Sequence, residues 1–148
     1  MEENSRRGQQ APRGLLFVLS VAAFSWALAQ TTLIPAFPAL QRDLHCGPSE
    51  VAWTMTGYLI PAAVLTPTLG RLGDLLGRRR VLLWTLVVFT AGCAISALGD
   101  SLAVVVGGRV LQGAGAGIFP LAFGIIREEQ AGDAVGRSIG TISALVGA

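Results

Sequence analysis

Lysine is absent from this chain of 148 residues, and charge of either sign is scarce: 14% of the residues are charged against 52% that are hydrophobic. Ordinary soluble domains carry about 25% charged residues, so that class is excluded. The mean hydropathy of +0.61 agrees. A single histidine, His45, and two cysteines, Cys46 and Cys93, form no cluster spaced to hold a metal. Cys46 lies between apolar runs and Cys93 deep within one, and that difference in depth argues against a disulfide. The net charge of +2 arises from arginines in short polar stretches, which offer nucleic acid no continuous basic face. The string GAGAG at 113–117 is no dinucleotide loop, because Ile118 holds the place of the last glycine and no strand precedes it. Nothing in the chain points to an enzyme or to a bound cofactor.

What the chain has in abundance is uncharged apolar sequence in bilayer-length pieces, at residues 14–37, 51–70, 81–99 and 102–126. At 1.5 Å per residue the run 51–70 covers roughly 30 Å, the hydrocarbon thickness. The expected fold is all-α, a polytopic membrane helix bundle. Pro35 and Pro38 are expected to end the first helix, and Pro61 and Pro67 to bend the second. Ser49 is a candidate N-cap with Glu50 beside it, and Asp100 or Ser101 a candidate cap after a tight turn that makes the third and fourth helices a hairpin. The third helix, apolar nearly all round with Trp84 near one end, is expected to face lipid. A fifth apolar run, 138–148, reaches about half the length needed to cross, which predicts that further helices of the same protein complete the bundle. Residues 1–13 read as a polar tail. An export signal competes there, since Ser5-Arg6-Arg7 and Ala27-Leu28-Ala29 mimic its ends, but the uncharged run continues well past that cleavage site.

Orientation follows from the arginines. Arg6, Arg7, Arg13, Arg71, Arg78, Arg79, Arg80, Arg127 and Arg137 fall on one side of a four-span path and Arg42 on the other. The first side, including the N-terminus, is therefore expected to be cytoplasmic, at a plasma (inner) membrane. So lopsided a distribution also argues against a dual-topology small multidrug transporter.

Two stretches stand out within this frame. Residues 70–80, GRLGDLLGRRR, predict a membrane-surface loop in which Gly70, Gly73 and Gly77 let helix ends approach, and Asp74 can accept from a guanidinium or from backbone N–H groups. Arg109 is the only charge inside any of the four runs, where it costs about 2.5 kcal/mol or more to insert, so it is expected to face a cavity or a partner. Snorkelling to the outer headgroups competes, since Arg109 lies roughly 12 Å from that end by helical rise. Gly113 and Gly117, one and two turns along, would let another helix pack beside it. Trp26 and Gln30 share a face at i and i+4 on the first helix, and with Tyr58 on the second they are candidate cavity residues; ordinary packing explains Trp26 equally well.

The order Gly70, Leu72, Asp74, Gly77, Arg78, Arg79 resembles the GxLxDrxGrr element between the second and third helices of the major facilitator superfamily. That resemblance implies that Asp74 and Arg78 act as a latch on inner helix ends in one alternating-access state. Arg109, Gln112, Gly113 and Gly115 are similar to the RxxQGxG element of the fourth helix in that family's drug and metabolite carriers, which lends Arg109 a role in proton coupling or substrate-site electrostatics. The string AQTTLIPAFPALQRDL is similar to the first-helix ending of fourteen-helix drug–proton antiporters, but Ala29 stands where those proteins carry an aspartate. No acidic residue remains within the four runs, and arginine keeps its proton, so a switching carboxylate is to be sought elsewhere. Small residues Gly136, Gly140, Ala144 and Ala148 recur every four positions and fit close helix packing.

The resemblance implies a secondary transporter that moves small molecules by alternating access, in the direction of proton-coupled efflux of drugs or amphipathic metabolites, with substrate, protons and the lipid bilayer as its partners. The rival from another class is a non-transporting membrane receptor or assembly subunit that uses the same helices for packing.

Overall fold

The structure, a computed structural model, describes residues 13–130 and 133–147. The tail expected at 1–13 lies, but for Arg13, outside the described residues, as does Ala148. Helix α1 (Arg13–Thr31) meets α2 (Leu33–Asp43) at a 50° bend. Thr32 Oγ1 donates to the Leu28 carbonyl at 2.8 Å and Thr31 Oγ1 to that of Ala27 at 3.1 Å, back-bonding that bends helices. The expected stop at residue 37 is corrected. Pro35 sits in the first turn of α2, where an N–H has no intrahelical partner to lose, and the helix accommodates Pro38 and runs on to Asp43. It closes where His45 adopts φ 51° and the Cys46 N–H donates to the Gln41 carbonyl at 3.2 Å, so the lone histidine serves as a left-handed C-terminal cap.

Helix α3 (Pro48–Leu76) starts on Gly47 rather than Ser49, because Pro48 suits the first helical position and the Glu50 carboxylate accepts the Gly47 N–H at 2.7 Å. It continues through Pro61, Pro67, Gly70 and Gly73, so the loop expected at 70–80 is also corrected. Only Gly77 departs from helix, at φ +94°, and α4 (Arg78–Ala97) begins at once. Gly73 contributes proximity instead of flexibility: a Cβ there would stand 2.5 Å from the Leu121 side chain.

The fourth apolar run is one path in three parts: α5 (Leu102–Gln112), a 3₁₀ segment (Gly113–Gly117) and α6 (Ile118–Glu129). Ser101 holds the N-cap place of α5 with extended backbone but makes no capping bond with its hydroxyl. Helix α4 does not face lipid all round. Val81, Leu82, Thr85, Phe89 and Gly92 are buried while Leu83, Trp84 and Val87 are exposed. The cause is the α4–α5 hairpin, closed so tightly that a Cβ on Gly92 would lie 2.7 Å from the Gly108 carbonyl.

Helix α7 (Asp133–Gly147) starts five residues earlier than expected and is tied to the end of α6, where Ser138 Oγ donates to Gln130 Oε1 at 2.8 Å. The apolar core joins Leu19 and Ala23 of α1, Leu82 of α4, Leu121 and Ile125 of α6 and Ile142 of α7. Helices α3 and α4 and the α5–α6 path are each long and apolar enough to cross a membrane, and the bent α1–α2 pair makes a fourth such path.

Candidate functional site

Arg109 is 3% exposed, so its head group does not reach the outer surface of the bundle. It lies four residues before the start of the 3₁₀ segment, where three helices meet. Its Nε donates to the Thr54 carbonyl of α3 at 3.3 Å, Nη1 to Gln112 Oε1 at 2.6 Å and Nη2 to Gln30 Oε1 of α1 at 3.2 Å. The guanidinium carbon stands 4.8 Å from the centroid of the Tyr58 ring, within cation–π range. Gln112 passes the connection on, its Nε2 donating to the Gly92 carbonyl at 3.2 Å and to Ser96 Oγ at 3.1 Å on α4. One buried cation thus links all four paths through neutral acceptors, and among the described residues no carboxylate pairs with it.

Glycine allows this convergence. A Cβ on Gly113 would stand 2.7 Å from Pro61 Cβ and 3.0 Å from the Tyr58 carbonyl, so the 3₁₀ segment lies against the backbone of α3 with no room for a side chain. Helix α3 is the close neighbour that the spacing of Gly113 and Gly117 anticipates.

Trp26, Gln30 and Tyr58 come together as walls of one open groove of about 650 Å³ between α1 and α3, with Ala62 and Thr66 further along. Trp26 is oriented by an edge-to-face contact with Phe119, the ring centroids 4.9 Å apart. Gln30 and Tyr58 belong both to this groove and to the surroundings of Arg109, so the groove is in electrostatic reach of the buried charge.

The second set of candidates lies at the opposite end of α3. Arg78 Nη2 and Nε donate to Asp74 Oδ1 at 2.7 and 3.0 Å, while Nη1 donates to the Gly124 carbonyl at 2.7 Å and lies 3.2 Å from Glu128 Oε1. Arg79 Nη2 pairs with Glu129 Oε1 at 2.7 Å. Arg78 therefore bridges the α3–α4 turn to α6, and a Cβ on Gly124 would fall 2.6 Å from its Cδ and Nε. Gly70 is not part of this turn; it packs beside Pro120, whose Cβ a side chain there would meet at 3.8 Å. Sequence reasoning missed Glu128 and Glu129. The adjacent acidic pair at the end of the fourth run, opposite in charge to Arg78-Arg79 on the same side, was the available signal. The Thr54 carbonyl and Ser96 carried none.

Apolar helices of bilayer length packed around a buried guanidinium define a polytopic membrane helix bundle. The family model of the Major Facilitator Superfamily matches residues 16–148, and the chain belongs to that family of multi-pass membrane transporters. It is 37% identical over 143 residues to a tetracenomycin C resistance and export protein of Streptomyces glaucescens, covering 96% of this chain and 26% of that protein. To a multidrug transporter protein of Bacillus subtilis it is 34% identical over 145 residues, covering 97% and 27%. To a uridine/deoxyuridine transporter of Lactococcus lactis subsp. cremoris it is 37% identical over 112 residues, covering 76% and 23%. The chain thus spans about a quarter of the length of these curated relatives.

Proposed function

We propose that this chain forms helices of a secondary transporter that moves small amphipathic molecules by alternating access, in the direction of efflux and at the expense of proton entry. The observation that carries this reading is Arg109, a cation buried in a membrane-spanning path and wired by Gln30, Thr54 and Gln112 to the helices that line an open groove. An inserted charge is costly, and such residues by default mark substrate or ion pathways. Two relatives with export or multidrug transport in their names favour efflux. Proton coupling assigns the switching carboxylate to another part of the transporter, since among the described residues the acidic ones sit at helix ends or between helices.

In this reading Asp74, Arg78 and Arg79 with Gly77 form the latch at the inner helix ends, and the arginine distribution sets the N-terminus in the cytoplasm at a plasma (inner) membrane. The test is accumulation of a panel of amphipathic dyes in cells lacking their own efflux pumps. Expression of the full-length protein is expected to lower accumulation of at least one dye, and a protonophore to abolish the difference. Accumulation unchanged across the panel contradicts the proposal.

A further inference from the structure

We propose that the groove beside Arg109 selects organic anions, namely planar aromatic or amphipathic molecules bearing a carboxylate or an ionised phenol, and discriminates against cations. The inference rests on the transporter reading and adds the substrate class of its groove. Its first ground is charge. The acceptors around Arg109 are two amide oxygens and one backbone carbonyl, all neutral. Among the described residues no acidic one lies near mid-span, and the place on the first helix adjoining Gln30 is held by Ala29. A guanidinium always carries its charge, so a positive charge that no carboxylate among the described residues pairs with lies directly behind Gln30 and Tyr58 of the groove wall, in surroundings where water and salt screen little.

The second ground is access. Arg109 uses three of its five N–H groups, and Gln30, the acceptor of the Nη2 bond at 3.2 Å, is itself a wall of the groove. Rotation of that one amide exposes a forked donor to whatever occupies the groove. A carboxylate oxygen is the acceptor that such a fork fits best, and it replaces a neutral bond by a charge-assisted one. The third ground is the rest of the wall. Trp26 and Tyr58 present aromatic surface, Ala62 and Ala63 leave room, and Thr66 adds a hydroxyl, which suits a flat apolar ring system next to the anionic group. A cation bound there would meet repulsion from the arginine behind the wall, and among the described residues no carboxylate offsets it.

The experiment uses the full-length protein in lipid nanodiscs and three probes of one shape: 2-naphthoate, 2-naphthamide and 2-naphthyltrimethylammonium. Titration calorimetry is expected to find naphthoate bound at least about ten-fold more tightly than the ammonium, with the neutral amide between them. Gln30→Glu keeps the side-chain length and puts a carboxylate on Nη2, so the preference should shrink to about two-fold or less without loss of monodisperse protein. Arg109→Gln should do the same by removing the charge itself. Equal or tighter binding of the ammonium, binding of none of the three probes, or an anion preference that survives Gln30→Glu overturns the inference. Dye efflux that persists beside any of these results leaves the transporter reading standing, and its absence removes both.

Discussion

Gly124 is bare because the Arg78 side chain lies where its Cβ would be. Replacement by alanine should push Arg78 off the Gly124 carbonyl, a loss on the order of 1 kcal/mol for one net hydrogen bond at a part-exposed site. A slightly lower melting midpoint in detergent is the expected reading, and a midpoint equal to or above the parent's would show that Arg78 does not depend on this cradle. Asp74→Asn tests the same contact from its other side. Asp74 is exposed and Arg78 half-buried, so stability should change by no more than about 1 kcal/mol, while the ratio of outward-facing to inward-facing forms should shift. Unaltered cysteine accessibility of the cytoplasmic cavity would contradict a latch. Arg109 stands out in the sequence as a charge in uncharged company, which the physics of insertion singles out without knowledge of the fold, and Asp74 as the one carboxylate in a stretch of arginines. Their partners do not. The pairing of Arg79 with Glu129, or of Arg109 with Gln30, depends on which helices touch, and no local pattern encodes that.

At the scale of the elements, the 3₁₀ segment governs how near α3 stands to the buried arginine. Gly113→Ala would place a methyl 2.7 Å from Pro61 Cβ and 3.0 Å from backbone atoms of Tyr58 and Ala62, none of which can swing aside as a flexible side chain could. Overpacking of this kind costs roughly 1–3 kcal/mol. The variant should melt earlier and lose ligand binding at the groove, whereas Gly107→Ala, with nothing within 4 Å of its added Cβ, should behave as the parent. Equal thermal stability of the two variants would count against close packing at Gly113. The uncharged runs make the spans visible in the sequence, but proline and glycine do not by themselves mark where the helices end. Pro35 in a first turn and Gly70 against Pro120 do not interrupt a helix, while the threonine pair at 31–32 bends one with no such marker.

For the whole molecule, the proposed orientation puts the arginine-rich end that joins Arg78, Arg79 and the α6 terminus in the cytoplasm, and thereby Cys46, in the turn between α2 and α3, on the outer side. In intact cells a membrane-impermeant maleimide should label Cys46 and spare both Cys93, inside α4, and a cysteine introduced by Arg80→Cys. Labelling at position 80 in intact cells would invert the topology.

The central claim is that a guanidinium at position 109 works within a transport cycle. An Arg109→Lys substitution tests it most directly, because it retains the charge while removing the fork that reaches Thr54, Gln112 and Gln30 together. Proton-driven uptake of a dye exported by the parent, measured in inverted vesicles and normalised to protein amount, should fall by at least about ten-fold, equivalent to a barrier higher by about 1.4 kcal/mol, with membrane insertion unchanged. Near-parental uptake by the lysine variant would contradict the account.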